Sequence, residues 1–175
     1  DYFAQLDFSE NYNDFDVVAD LLEKSKYKFT IEAGRFIASS CGFYVSKIMD
    51  IKSTNDVNYC LIDGGINHLN YYGQIMGMKI PPVSLVKNNA DAKSENCSNF
   101  EICGSLCTTA DVITKSLPLA SPAIADFLVF KNIGAYSVTE GIYLFLSHAL
   151  PCVVSYDKME YKVLRQSFET YKINS

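Results

Sequence analysis

The chain has 175 residues, 49% of them hydrophobic and 20% charged, with a formal net charge of -5 and no cluster of lysine or arginine. That length holds one sizeable domain or one and a part. The acidic balance argues against nucleic acid or an anionic membrane as the main partner, and no apolar run approaches the roughly 20 residues of a spanning helix.

Near the start, Phe15, Val18, Ala19 and Leu22 recur at helical spacing, with Asn13 or Asp14 placed to cap and Lys24 and Lys26 at the far end. Lys28 to Glu32 alternates and predicts a short strand, which brings Glu32, Gly34 and Arg35 to its C-terminal end. Chemistry in βα barrels is built at that end. On this segment alone a surface salt bridge is the simpler reading. Phe36 to Tyr44 reads as one more helix, with Gly42 near its end.

After that the period changes. Val45 to Ser53, Val57 to Asp63, Pro82 to Val86, Phe100 to Gly104, Val112 to Thr114 and Phe127 to Lys131 read as strands, separated by Gly, Pro and Asn clusters. This pattern suggests an antiparallel barrel or sandwich. Asn88 to Asn99 reads as a hairpin loop, and Pro118 and Pro122 mark turns or strand edges. Ser137 to His148 is ambiguous, with Val138, Ile142 and Phe145 suiting a helix. Cys152 to Tyr156 and Tyr161 to Arg165, flanking Asp157-Lys158-Met159-Glu160, predict a terminal hairpin. The expected fold is mostly β: a C-terminal Greek-key barrel or sandwich over 38–175, preceded over 1–37 by the last helix and strand of a (β/α)8 barrel. A whole barrel takes about 250 residues, and the chain opens Asp1-Tyr2-Phe3 without a methionine, so an upstream part is expected.

Six cysteines, Cys41, Cys60, Cys97, Cys103, Cys107 and Cys152, lack the two-residue spacing of zinc sites, and only His68 and His148 accompany them. No metal site is expected; reduced thiols in a cytoplasmic protein are the plain reading. Two of these cysteines lie in Cys103-Gly104-Ser105-Leu106-Cys107-Thr108-Thr109-Ala110-Asp111, at a break between two strands. Small residues there allow close backbone approach. A thiol beside them is either a small buried hydrophobe or a tunable acid.

Four stretches together carry a resemblance. Ile31-Glu32-Ala33-Gly34-Arg35-Phe36 resembles the Glu-Pro-Gly-Arg motif of the alanine-racemase-like (fold type III) pyridoxal-phosphate decarboxylases. Asp63-Gly64-Gly65-Ile66-Asn67-His68-Leu69 is similar to their Asp-Gly-Gly-Met-Asn segment, and Gly104-Ser105-Leu106-Cys107 with Asp111 to Gly-Pro-x-Cys followed by an acid. Asp126-Phe127-Leu128 through Gly134-Ala135-Tyr136 is similar to Gly-Asp-Leu-Leu and Gly-Ala-Tyr. The group includes diaminopimelate, ornithine and carboxynorspermidine decarboxylases.

The resemblance implies a homodimeric two-domain enzyme that binds pyridoxal 5'-phosphate, an electron sink for amino-acid α-decarboxylation. It implies that Glu32 contacts the ring nitrogen and that Gly34, Arg35 and Tyr136 hold the phosphate. It also implies that Cys107 returns a proton to Cα across the dimer, with Asp111 holding the dimer contact. No lysine of this chain matches the family's Schiff-base lysine, so the chain alone is expected to be inactive. Two positions depart from the pattern. Thr108 stands where members acting on a distal amine tend to carry an acid, and Asn70 and Tyr71 stand where diaminopimelate decarboxylases tend to carry Arg-Pro. A distally neutral or carrier-protein-linked amino acid is therefore expected, with Thr108 and Asn70 facing it. The alternatives are diaminopimelate decarboxylase, a catalytically inactive regulatory homologue, and a stand-alone β-barrel binding module.

Overall fold

The computed structural model describes residues 13–32, 34–71, 77, 80–89, 96–157 and 159–173. Helix α1 (Asn13–Glu23) forms where the apolar spacing predicts it, and Lys24 just beyond pairs with Asp20 one turn back. The strand expected over Lys28–Glu32 is not formed. Alternation supplies the pattern of a strand, but its backbone groups still need a neighbour to pair with. This stretch has none in the described sheets, and Phe29 and Ile31 are each 53% exposed. Helix α2 (Gly34–Ala38) follows and tightens into a 3-10 turn over Ser39–Cys41.

Strand β1 (Tyr44–Thr54) is the axis of the fold. Its first residues, Tyr44 to Lys47, pair antiparallel with β6 (Phe127–Phe130), and those from Ile48 onward pair with β2 (Val57–Ile62). Strand β3 (Val83–Val86) adds outside β6. On the other flank come β4 (Cys97–Cys103) and β5 (Val112–Ala120), giving the order β3-β6-β1-β2-β4-β5 in a curled, half-barrel sheet. The mostly-β expectation therefore holds, with one difference: β2 and β4 run parallel. Strand β5 is longer than the pattern predicted and carries Pro118 within it. It lies at the sheet edge, where a missing N–H is tolerated.

Side chains alternate along these strands, and one face builds the core. Tyr44, Ile48, Ile62, Phe100, Ile102, Leu117, Leu128 and Phe130 meet there with Leu69, Tyr71 and Ile133 from loops. The helix considered over Ser137–His148 is replaced by turns and a 3-10 turn at Phe145–Ser147. The Ile142 N–H is taken by Ile66 O, and Leu146 and Ser147 are left-handed, at φ 57° and 56°. Strands β7 (Val153–Asp157) and β8 (Glu160–Arg165) form the expected hairpin, exposed along its length. No helix among the described residues is long and apolar enough to cross a membrane.

Asp126 ties the loops around β6. Its carboxylate accepts the N–H groups of Asn88 and Ala123, each at 2.9 Å, and pairs with Lys87 at 3.2 Å. Burial pushes this carboxyl up, but the two N–H donors and the ammonium outweigh it and hold it below its ordinary value. Asp126→Ala should cost about 1–3 kcal/mol, since two backbone donors and Lys87 lose a charged acceptor. Because the folded value is depressed, this contribution is present above the ordinary value of 3.8 and is lost as pH falls through the folded one. Denaturant midpoints of the two proteins at neutral pH and near pH 3 check both parts. Equal midpoints at neutral pH would refute the claim.

Candidate cofactor and active site

Residues a hundred positions apart meet at the start of α2. The Arg35 guanidinium donates to Ala135 O at 3.1 Å and to Ser137 Oγ at 3.4 Å, and it forms an ion pair with Glu140 at 2.9 Å. It also lies over the Tyr136 ring, 5.2 Å from the centroid. A Cβ on Gly34 would lie 2.4 Å from Tyr136 Oη, so glycine is what lets the phenol approach this backbone. Tyr136 adopts φ 64° and is 54% exposed, unlike a core tyrosine. The sequence-predicted trio Gly34, Arg35 and Tyr136 is thus one cluster. Glu32 is exposed on the unpaired extended stretch and no described contact joins it to them. Glu140, which pairs with Arg35, was not singled out by the sequence. Its only signal was its place four residues beyond Tyr136.

The loop after β2 connects this cluster to the cysteine loop. The Asn70 N–H donates to Ser137 O at 2.7 Å, which places the half-buried Asn70 beside the tyrosine segment. At its other end the loop packs on Asp111, which is 3% exposed and accepts the N–H groups of Ile66 and Leu106, both at 2.8 Å. Burial pushes the Asp111 carboxyl up against the pull of those donors. Its carboxylate is thus engaged within its own chain. Thr108 is half-buried; its N–H donates to Leu106 O and its hydroxyl oxygen accepts the Ala110 N–H. Cys107 is exposed between them. Cys103 differs: burial pushes its thiol up to about 11, so it stays protonated. Among the described residues no group of three or more His, Cys, Asp or Glu could hold a metal ion.

His68 braces the same loop. Its Nε2–H donates to Ala149 O at 2.9 Å, because a carbonyl can only accept. In the neutral ring Nδ1 then accepts from Tyr44 Oη at 2.7 Å. A Cβ on Gly64 would fall 1.7 Å from that hydroxyl, so the first glycine of Asp63-Gly64-Gly65 makes room for the pair. Asp63 itself accepts from Ser46 Oγ at 2.5 Å and Lys47 N at 2.9 Å.

These features define a curled β domain with a glycine, arginine and tyrosine cluster in one place and an exposed thiol on the Gly104–Asp111 loop in another. Residues 17–134 match the family described as pyridoxal-dependent decarboxylase, C-terminal sheet domain, and the chain belongs to that family. It is 32% identical over 128 residues to a diaminopimelate decarboxylase of Buchnera aphidicola, covering 64% of this chain and 28% of the relative. It is 24% identical over 141 residues to the L-glutamyl-[BtrI acyl-carrier protein] decarboxylase of Niallia circulans, covering 79% of this chain and 33% of that one. The chain therefore spans about a third or less of these relatives. The crystal structure of diaminopimelate decarboxylase from Helicobacter pylori complexed with L-lysine shares the fold. It superposes with a TM-score of 0.68 at 15% identity, over 90% of this chain and 37% of that one.

The brace at His68 has a pH signature. Burial lowers its basicity below the ordinary value of 6.5, so the unfolded chain takes up the proton first. Stability from His68 is therefore present above about pH 6.5 and is lost as pH falls through the folded value. His68→Gln, which does not titrate, should flatten that part of the stability profile. Urea midpoints between about pH 5 and 8 test it; parallel profiles for the two proteins would count against the brace.

Proposed function

We propose that this chain is the C-terminal part of a pyridoxal-phosphate-dependent amino-acid α-decarboxylase, a dimeric carboxy-lyase of the cytoplasm, with residues 1–37 completing a barrel domain and 38–175 forming the β domain. The observation that carries the reading is the junction of Gly34, Arg35 and Tyr136. A glycine that admits close approach, a planar cation and an exposed phenol hydroxyl are what a phosphate needs. When bound, the cofactor supplies the electron sink that lets the carboxylate leave.

The chain's own residues do the rest. Arg35, Gly34 and Tyr136 hold the phosphate, and Glu140 keeps the guanidinium in place. Glu32 would be the carboxylate for the ring nitrogen of the bound cofactor, where a negative charge favours the protonated ring. The exposed Cys107 thiol donates a proton to Cα after carbon dioxide departs. It reaches the site of the neighbouring subunit. The Schiff-base lysine belongs to the barrel, so this chain alone is inactive. Retention of this cluster with Cys107 disfavours an inactive regulatory homologue. The exposure of Leu21, Phe29 and Ile31 around the start disfavours a stand-alone module.

Thr108 and Asn70 would face the substrate's distal end, and both are neutral. A distally neutral amino acid, or an aminoacyl or glutamyl group on a carrier protein, is the reading they support, in keeping with the Niallia relative's name. Diaminopimelate is the second reading, favoured by the 32% identical Buchnera relative.

In the intact enzyme, Arg35→Gln should weaken cofactor binding about tenfold or more, as expected for lost hydrogen bonds to a charged group. Titration of the apoenzyme with pyridoxal phosphate measures it, and unchanged affinity would remove Arg35 from the phosphate site. Turnover of carrier-linked glutamyl and neutral amino acids should exceed that of free diaminopimelate, ornithine and lysine. Efficient turnover of diaminopimelate would decide for the second reading.

A further inference from the structure

The loop from Gly104 to Asp111 closes on one residue. The Asp111 carbonyl accepts the Gly104 N–H at 3.0 Å, and its N–H donates to Thr108 O at 3.2 Å. Its carboxylate accepts the N–H of Leu106 through one oxygen and, across to the loop after β2, that of Ile66 through the other, both at 2.8 Å. Cys107 therefore sits between two anchored neighbours, Leu106 and Thr108, while its own thiol is exposed.

The space is kept for a carboxylate. A Cβ on Gly104 would lie 2.2 Å, and one on Gly65 2.5 Å, from its oxygens. Only a carboxylate offers two acceptor oxygens to two N–H donors, since an asparagine would turn its NH2 toward one of them. Asp111 is buried, and burying a carboxylate is costly unless its oxygens are hydrogen-bonded. The arrangement spends that cost on the geometry of this one loop.

We infer that Asp111 is the positioning residue for the Cys107 thiol, locking the loop that carries it to the glycine loop after β2. The inference rests on the reading of Cys107 as proton donor. A general acid must lie within hydrogen-bond reach of the atom it serves, and a displacement of about 1 Å can cost on the order of 10²-fold in rate.

The test uses Asp111→Ala, Asp111→Asn and Gly104→Ala in the holoenzyme, with two readouts. The first needs no turnover: the rate at which iodoacetamide alkylates Cys107, read by mass spectrometry against the exposed Cys152 as internal reference. The second is kcat against KM. Asp111→Ala should change Cys107 alkylation several-fold relative to Cys152 and lower kcat on the order of 10²-fold with KM nearly unchanged. Asp111→Asn should fall between it and the wild type. Where Asp111→Ala does not fold, Gly104→Ala displaces the carboxylate instead and should shift both readouts the same way. Folded variants with unchanged Cys107 alkylation and kcat would overturn the inference. So would equal changes at Cys107 and Cys152 with KM rising alongside, which is the mark of general loosening. Full kcat in Cys107→Ala is a separate failure: it removes the proton-donor reading, and the positioning role with it, whatever Asp111→Ala does.

Discussion

Everything in the sheet depends on β1 changing partners at Ile48. Before that residue the strand pairs with β6, and after it with β2, so each half of the sheet hangs on one end of a single strand. The exchange leaves no backbone group of Ile48 stranded: its N–H donates to Asp126 O and its carbonyl accepts the Ala125 N–H. On the β2 side, the Asp63 N–H closes on Lys47 O. The fully buried Ile48 side chain sits at the crossing. Losing the crossing would separate the arm carrying β3 and β6 from the arm carrying β4 and β5.

Polar groups as well as the loop residues Leu69, Tyr71 and Ile133 in the core set how the loops sit on this sheet. Asp126, Asp111 and Asp63 each spend a carboxylate on backbone N–H groups of segments distant in sequence or just beside them. Loops carry donors that must be satisfied once they are buried. A short acidic side chain satisfies two at once, and the glycines beside it leave the room. This explains why the glycine pair after β2 and the glycine before the cysteine loop occur where they do. Gly64 yields space to Tyr44, and Gly65 and Gly104 to Asp111.

The described surface is unevenly finished. From α1 into β1, Leu21, Phe29, Ile31, Ile37 and Phe43 are exposed, and the β7–β8 hairpin presents Tyr156, Tyr161 and Leu164. The loops that hold Arg35, Asp111 and His68 are closed by internal hydrogen bonds. Under the proposed reading, the exposed apolar residues of the first stretch are those a barrel domain would cover.

The sequence by itself determined the elements whose signal is local. Helix α1, β1, β2, β6 and the terminal hairpin follow from the spacing of apolar residues. The motifs around Arg35, Asp63, Cys107 and Tyr136 were legible because their order along the chain is a linear property. What depends on pairing across space was decided by the tertiary structure alone. Lys28 to Glu32 alternates like a strand but pairs with no neighbour in the described sheets. Ser137 to His148 has a helical spacing, but Ile142 spends its N–H on Ile66. The parallel register of β2 and β4 and the meeting of Gly34 with Tyr136 have no local signature. The two oxygens of Asp111 aimed at two loops have none either: a side chain's partners are fixed by where the backbone folds, and the spacing of residues along the chain does not encode that.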